Sequence, residues 1–349
     1  MYKERDKILF SASDLADFIE CRHLTALGLR SLDDSSLVKK KADQATEILQ
    51  QQGIEHEKNY LEKLERAGKR IREIRSTGSI SRQERVKQTL EAMQAGSDVI
   101  YQAAFDRSPF MGYADFLLKV EGKRSRVLGT EFSYEIADTK LARSGKARHL
   151  VQIALYSDLL EATQGVAPDY MHLELGDGRN KAFRVSDYRH YVGALKKRFL
   201  EFVEDRPQTS PEKCGHCGLC QWAELCTREW QDSDHLNQVA NIRAADIRKL
   251  RSKSIDTLTA LAETRLTVPE VGSFETLKLQ AALQLGKKRH PYEDKVIFRG
   301  LATAAAARTG FFRLPEPDEG DLYFDMEGYP YEPGGLEYLF GVCYRDGDG

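Results

Sequence analysis

Apolar residues recur at helical spacing between residues 36 and 75, where Ile48, Leu49, His56, Tyr60, Leu61 and Leu64 share one side and no proline intervenes. The pattern predicts one long amphipathic helix with a break at Gly53, and it sets His56 on the apolar side. The period then changes to two. Met111 to Val120 and Arg126 to Lys140 alternate, with Gly122 and its charged neighbours between them, which predicts a β-hairpin or two adjacent strands. Helical spacing returns over residues 147 to 163 through Leu150, Ile153, Ala154 and Leu160. A strand is expected at Tyr170 to Leu175, stopped by Gly176-Asp177-Gly178, and a further helix at about 187 to 204. Helices and strands that alternate in this way predict an α/β fold.

Pro207 and Pro211 introduce a cysteine-rich segment, after which residues 236 to 290 read as short helices separated by Val268-Pro269 and by Gly272, one of them with Asp256 as its N-cap. Pro315-Glu316-Pro317-Asp318-Glu319-Gly320 reads as a linker. Beyond it, Leu322-Tyr323-Phe324 and Leu336 to Tyr344 read as two strands of another unit. The expected organisation is a large domain over residues 1 to 230, a helical connector over 231 to 314, and the start of an α/β domain over 315 to 349.

At 349 residues the chain exceeds what one ordinary core organises, which favours more than one domain. Charged residues make up 30% of it, and no run approaches the 18 or more apolar residues that a membrane-spanning helix requires, so no membrane partner is expected. The first residues, Met1-Tyr2-Lys3-Glu4-Arg5-Asp6-Lys7, carry both signs of charge and lead into no signal-peptide core, which points to a cytoplasmic location. A formal net charge of -2 leaves any nucleic-acid contact to local basic runs: Lys39-Lys40-Lys41, Lys69-Arg70 with Arg72 and Arg75, or Lys196-Lys197-Arg198. Each also reads as an ordinary solvated helix face.

The chemistry concentrates at two places. Phe132, Tyr134, Ile136, Asp138 and Lys140 share one face of the second predicted strand, because side chains two apart point the same way. Asp115, in the strand before it, lies where register can bring a second carboxylate beside Asp138. Two hard oxygen donors suit Mg²⁺ or Mn²⁺, and an ammonium beside them suits phosphoryl transfer. Gln152 and Tyr156 are four apart on the following helix and face the same way. Glu131 and Glu135 fall on the face opposite Asp138 and are expected to be solvated. Of six cysteines, Cys214, Cys217, Cys220 and Cys226 cluster within 13 residues, which in a reducing compartment indicates metal binding more than disulfides. Cys343 lies in an apolar strand and reads as a small buried residue.

His56 in Gly53-Ile54-Glu55-His56-Glu57, Asp115, Asp138 with Lys140, and Gln152 with Tyr156, taken in that order, resemble the RecB-like branch of the PD-(D/E)xK nuclease superfamily over about residues 11 to 230. The resemblance implies a restriction-endonuclease-like α/β core. It also implies a metal-dependent deoxyribonuclease, an exonuclease on single-stranded DNA ends, with His56, Asp115 and Asp138 as metal ligands. Lys140 would be the catalytic cation, and Gln152 and Tyr156 would position DNA or the lysine. Cys217-x2-Cys220-x5-Cys226 is similar to that branch's cluster-binding pattern, whose fourth ligand lies near the N-terminus; Cys21 fits that place and implies a [4Fe–4S] staple. Cys214 departs from the pattern. With Cys217, Cys220 and Cys226 it can alternatively form a Cys₄ zinc site.

Asp325-Met326-Glu327 ends an apolar strand with both acids on one face, which reads either as a solvated strand end or as a metal motif. It resembles the first metal-binding motif of DEDD exonucleases with an RNase H-like fold. The whole chain resembles the front of bacterial RecB-like nucleases in which an RNase H-like domain and then a helicase domain follow, so a helicase domain or subunit is an expected partner. About 25 residues after Asp325 do not complete a domain of roughly 100. Two readings compete with a nuclease: a catalytically silent nucleic-acid-binding module, and a zinc-ribbon interaction protein.

Overall fold

The computed structural model describes residues 1–5, 7–41, 43–74, 80–290, 296–300, 310–329 and 335–344. Contacts divide the chain into two units, Met1–Asp232 and Ser233–Gly349.

The first unit begins with a short antiparallel pair, β1 (Tyr2–Glu4) and β2 (Lys7–Leu9). Helix α1 (Ala12–Glu20) is started by a capping box in which Ser11 and Asp14 satisfy each other's backbone N–H groups, and α2 (Arg22–Arg30) follows after one extended residue, Cys21. Next come α3 (Gln44–Arg66), β3 (Ile71–Glu73), α4 (Arg82–Gln94), β4 (Val99–Arg107), β5 (Phe110–Ser125) and β6 (Thr130–Lys140). Helix α5 (Ala147–Gln164), β7 (Tyr170–Leu175), β8 (Asn180–Arg184), α6 (Val185–Asp205) and α7 (Ala223–Asp232) complete the unit. The fold is α/β around one mixed sheet of order β3-β4-β5-β6-β7-β8, in which β4, β5 and β6 run antiparallel and β7 returns parallel to β6.

Both faces of the sheet are covered. Residues of α1, α4, α5 and α6 form the main core with Ile100, Leu117, Tyr134, Ile136 and Leu173, while α3 lays Tyr60, Leu61 and Leu64 on the opposite face against Val99, Phe116 and Ala137. Ser133 to Thr139 are therefore buried without interruption, a pattern of two-sided cover. The side-chain amide of Gln164, wholly buried, pins α5 to β6: it accepts from Tyr134 N–H (2.9 Å) and donates to Tyr134 C=O (3.1 Å).

Several elements differ from expectation. The long helix spans Gln44–Arg66, starting where Asp43 caps Thr46 N–H, and it passes through Gly53 unbroken, since one glycine costs a helix only about 1 kcal/mol. The strand β5 does not turn at Gly122. That residue takes φ +73° within an irregularity between Glu121 and Ser125, and the strand resumes beyond it. Glu135 is buried: Asp169 N–H, Tyr170 N–H and His172 Nε2 surround its carboxylate at 3.2, 2.9 and 2.9 Å. Glu131 is exposed.

The second unit packs α8 (Ala244–Arg251), α9 (Leu258–Glu263) and α10 (Phe274–Arg289) around Leu250, Leu258, Leu261, Phe274 and Leu277. Thr257 caps α9 by accepting from Ala260 N–H, in place of Asp256, since the helix begins one residue later than expected. Strands β9 (Leu322–Tyr329) and β10 (Leu336–Tyr344) pair antiparallel as a hairpin with nearly every side chain exposed. Cys343 is exposed with them, because no further layer among the described residues covers the hairpin. No helix among the described residues is long and apolar enough to cross a membrane.

Candidate active site and cysteine cavity

Strands β5 and β6 separate at one end. The last paired residues there are Phe116 and Ala137; beyond them Phe110 to Ala114 pair with β4, while Asp138 to Lys140 pair with β7. One step past the last pair, Asp115 stands opposite Asp138 at the head of the resulting notch. A backbone reversal sharpens it. Val99 and Tyr101 pack toward α3, but Ala103 and Phe105 belong to the core under α5, so β4 turns over at Gln102, whose φ of +59° is left-handed. In β5, Phe116 faces α3 and Ala114 faces α5, which leaves Asp115 at the crossover.

Asp138 is 1% exposed, and no backbone N–H donates to its carboxylate. Lys140 Nζ lies 2.5 Å from its Oδ2 as an ion pair. Burial first, and then the charge of Asp138, drives the Asp115 carboxyl well above the usual carboxylate range; Lys140 pulls it back. Burial opposes the Lys140 charge, yet Asp138 and Asp115 outweigh it and hold the ammonium above the ordinary lysine value. Asp115 also accepts from Thr139 N–H at 3.3 Å.

Around this core stand residues from three elements. Burial, and then the charges of Asp115 and Asp138, raise Tyr156, with Gln152 close by acting in the opposite sense. Its ring lies over Gly112, where an added Cβ would come within 2.7 Å, so glycine is what lets the tyrosine approach β5. Two residues escaped sequence reading. Glu57 of α3 places a negative charge near Asp115 and Lys140 and accepts from Gln102 Nε2 at 2.5 Å. His149 of α5 is pushed down to about 4, by burial and then by the Lys140 charge. The helical period that placed His56 also placed Glu57 beside it, but nothing in the sequence tied Glu57 to Asp115. His56 itself lies toward β7, its Nε2 3.3 Å from the carbonyl oxygen of Glu174. The structure therefore brings Asp115, Asp138, Lys140, Gln152 and Tyr156 together and sets His56 one strand further along.

The second site joins the two ends of the first unit. Cys21 at the α1–α2 junction, Cys214, Cys217, Cys220 and Cys226 on α7 line one cavity of about 270 Å³ with His23, Leu27, Trp222 and Trp230. Packing of Leu24 and Leu27 on Trp222 and a bond from Trp230 Nε1 to the Pro211 carbonyl (2.7 Å) shape its wall. Burial raises the thiols of Cys21, Cys217 and Cys220, and raises Cys226 to about 12, with neighbouring sulfurs adding to the effect. Among the described residues no three histidine, cysteine, aspartate or glutamate side chains are arranged to hold a single metal ion. No family model matches the chain, and no curated protein compared with it matches.

Proposed function

We propose that Met1–Asp232 is a divalent-metal-dependent deoxyribonuclease with a PD-(D/E)xK core, acting on single-stranded DNA ends. The observation that carries this reading is Asp138: a carboxylate stripped of water, set opposite a second carboxylate, with the Lys140 ammonium as its one close partner. Two buried carboxylates this close are costly unless cations compensate them, and Lys140 compensates one charge of the two. Mg²⁺ fits what remains, because it commonly binds through one or two carboxylates and fills its other positions with water and substrate phosphate. The two-sided cover of β6 and the parallel return of β7 across α5 agree with a restriction-endonuclease-like core.

Asp115 and Asp138 would hold the ion, which when bound polarises a phosphoryl oxygen and acidifies water. Lys140, held charged, stabilises negative charge developing on the phosphate. Glu57 adds a further negative charge beside Asp115 and Lys140. Tyr156, packed on Gly112 with Gln152 close by, forms the wall of the notch along β5. His149 stays neutral at physiological pH and adds no charge to compete with Lys140.

Cys21, Cys217, Cys220 and Cys226 are proposed to hold a [4Fe–4S] cluster that ties α1 and α2 to α7. The donor set fits: the thiols ring a cavity, and burial opposes their ionisation, so they become thiolates only against a bound cation. Incubation with end-labelled single-stranded DNA and Mn²⁺ tests the nuclease. Degradation stopped by EDTA and abolished by Asp138→Asn is expected; intact DNA after incubation with the folded wild-type protein overturns the reading in favour of a silent binding module.

A further inference from the structure

Five thiols line a cavity in which a four-iron cluster needs four. Two of the five are not independent. Cys214 Sγ lies 3.8 Å from Cys217 Sγ, and the Cys214 backbone N–H donates to Cys217 Sγ at 3.3 Å. The thiolates of a cubane cluster bind four different irons at its corners and cannot touch one another, whereas sulfurs in contact suit one metal atom. Only Gly215 and His216 separate the two cysteines, and a Cβ added at Gly215 would meet nothing within 4 Å, so the short connection has room around it.

Resting on the cluster reading above, we propose that Cys214 and Cys217 share one corner of the cluster: Cys21, Cys220 and Cys226 are fixed ligands, and either sulfur of the pair completes the set. Exchange breaks one iron–sulfur bond and forms another on the same iron. The incoming thiol gives up a proton and the outgoing thiolate takes one up, so no electron moves and the charge of the cluster with its ligands is unchanged. Cys214 is then a spare ligand held in contact with the position it replaces.

The test uses the full chain purified without oxygen, with iron and acid-labile sulfide measured per folded protein and the dithionite-reduced electron paramagnetic resonance spectrum recorded. Cys214→Ala and Cys217→Ala, each alone, are expected to keep about four irons per chain. Their spectra should differ from each other, because the remaining sulfur meets the iron from a different direction. Cys220→Ala, Cys226→Ala and the double variant Cys214→Ala/Cys217→Ala are expected to lose cluster affinity about tenfold or more. The single variants decide the matter even if the double variant does not fold. Loss of iron in Cys217→Ala with full retention in Cys214→Ala overturns corner sharing and leaves the cluster reading standing. A wild-type protein that holds one zinc and no iron, and loses it in Cys214→Ala, overturns the cluster reading itself.

Discussion

The hairpin of β5 and β6 and the hairpin of β9 and β10 each pair apolar strands antiparallel, and each carries an aspartate followed two residues later by a second charged group: Asp138 and Lys140 on one, Asp325 and Glu327 on the other. Their surroundings differ. Helices cover both faces of β6, and Asp138 retains 1% of its surface; β9 is exposed along Leu322 to Gly328, and Asp325 accepts from the N–H of its neighbour Met326 at 2.9 Å. Asp325 stands in solvent. Asp138 has lost its water and received a single ammonium in return. The triplet of residues therefore sets what chemistry is available, and cover decides whether a carboxylate has reason to use it.

The sharpest way to break this comparison is catalytic. Asp138→Asn should cost at least about a hundredfold in cleavage rate, and Lys140→Ala a similar factor with Mn²⁺ dependence unchanged, while Asp325→Asn leaves cleavage as it was. Titrating Mn²⁺ against rate for each variant checks this, and equal losses at Asp138 and Asp325 would remove the distinction. Next in size is packing: Ile136→Ala in β6 should destabilise the first unit by about 2–5 kcal/mol in urea unfolding followed by Trp222 and Trp230 fluorescence. A smaller effect separates the acids within β6. Glu135→Gln, which weakens charge-assisted bonds to Asp169 N–H, Tyr170 N–H and His172, should cost about 1.5–3 kcal/mol by the same measurement, against no more than about 0.5 kcal/mol for the exposed Glu131→Gln. The smallest is Phe340→Ala on the bare β10, within about 0.5 kcal/mol by calorimetry; a larger cost would mean that the hairpin is packed in solution.

Period-two alternation and helical spacing were enough to place Asp138, Lys140, Gln152 and Tyr156 on the right elements, since the strand and helix carrying them have clear apolar faces. Asp115 needed register, which the sequence leaves open and which Phe116 opposite Ala137 supplies. The burial of Glu135 was not legible, because its donors come from the backbone of Asp169 and Tyr170 across a parallel crossover that alternation within β6 cannot reveal. Strand β4 went unread, as did the left-handed Gln102 within it: turn-overs of this kind usually announce themselves by glycine, and here a glutamine adopts the conformation. Gly122 misled in the opposite sense, marking an irregularity inside a strand where a turn was expected.

His23 Nδ1 lies 2.8 Å from Thr209 Oγ1, 186 residues away along the chain, and Cys21 opens the same cavity that Cys226 closes. The feature fixes an order in time. A ribosome making this protein releases α1 and α2 first and the residues that complete their wall near the end of the first unit, so the cavity cannot close until the segment through α7 has emerged. Contacts of such separation also slow folding relative to local ones. The sheet and its acids come from residues that are all present by α6, whereas the cavity waits for α7.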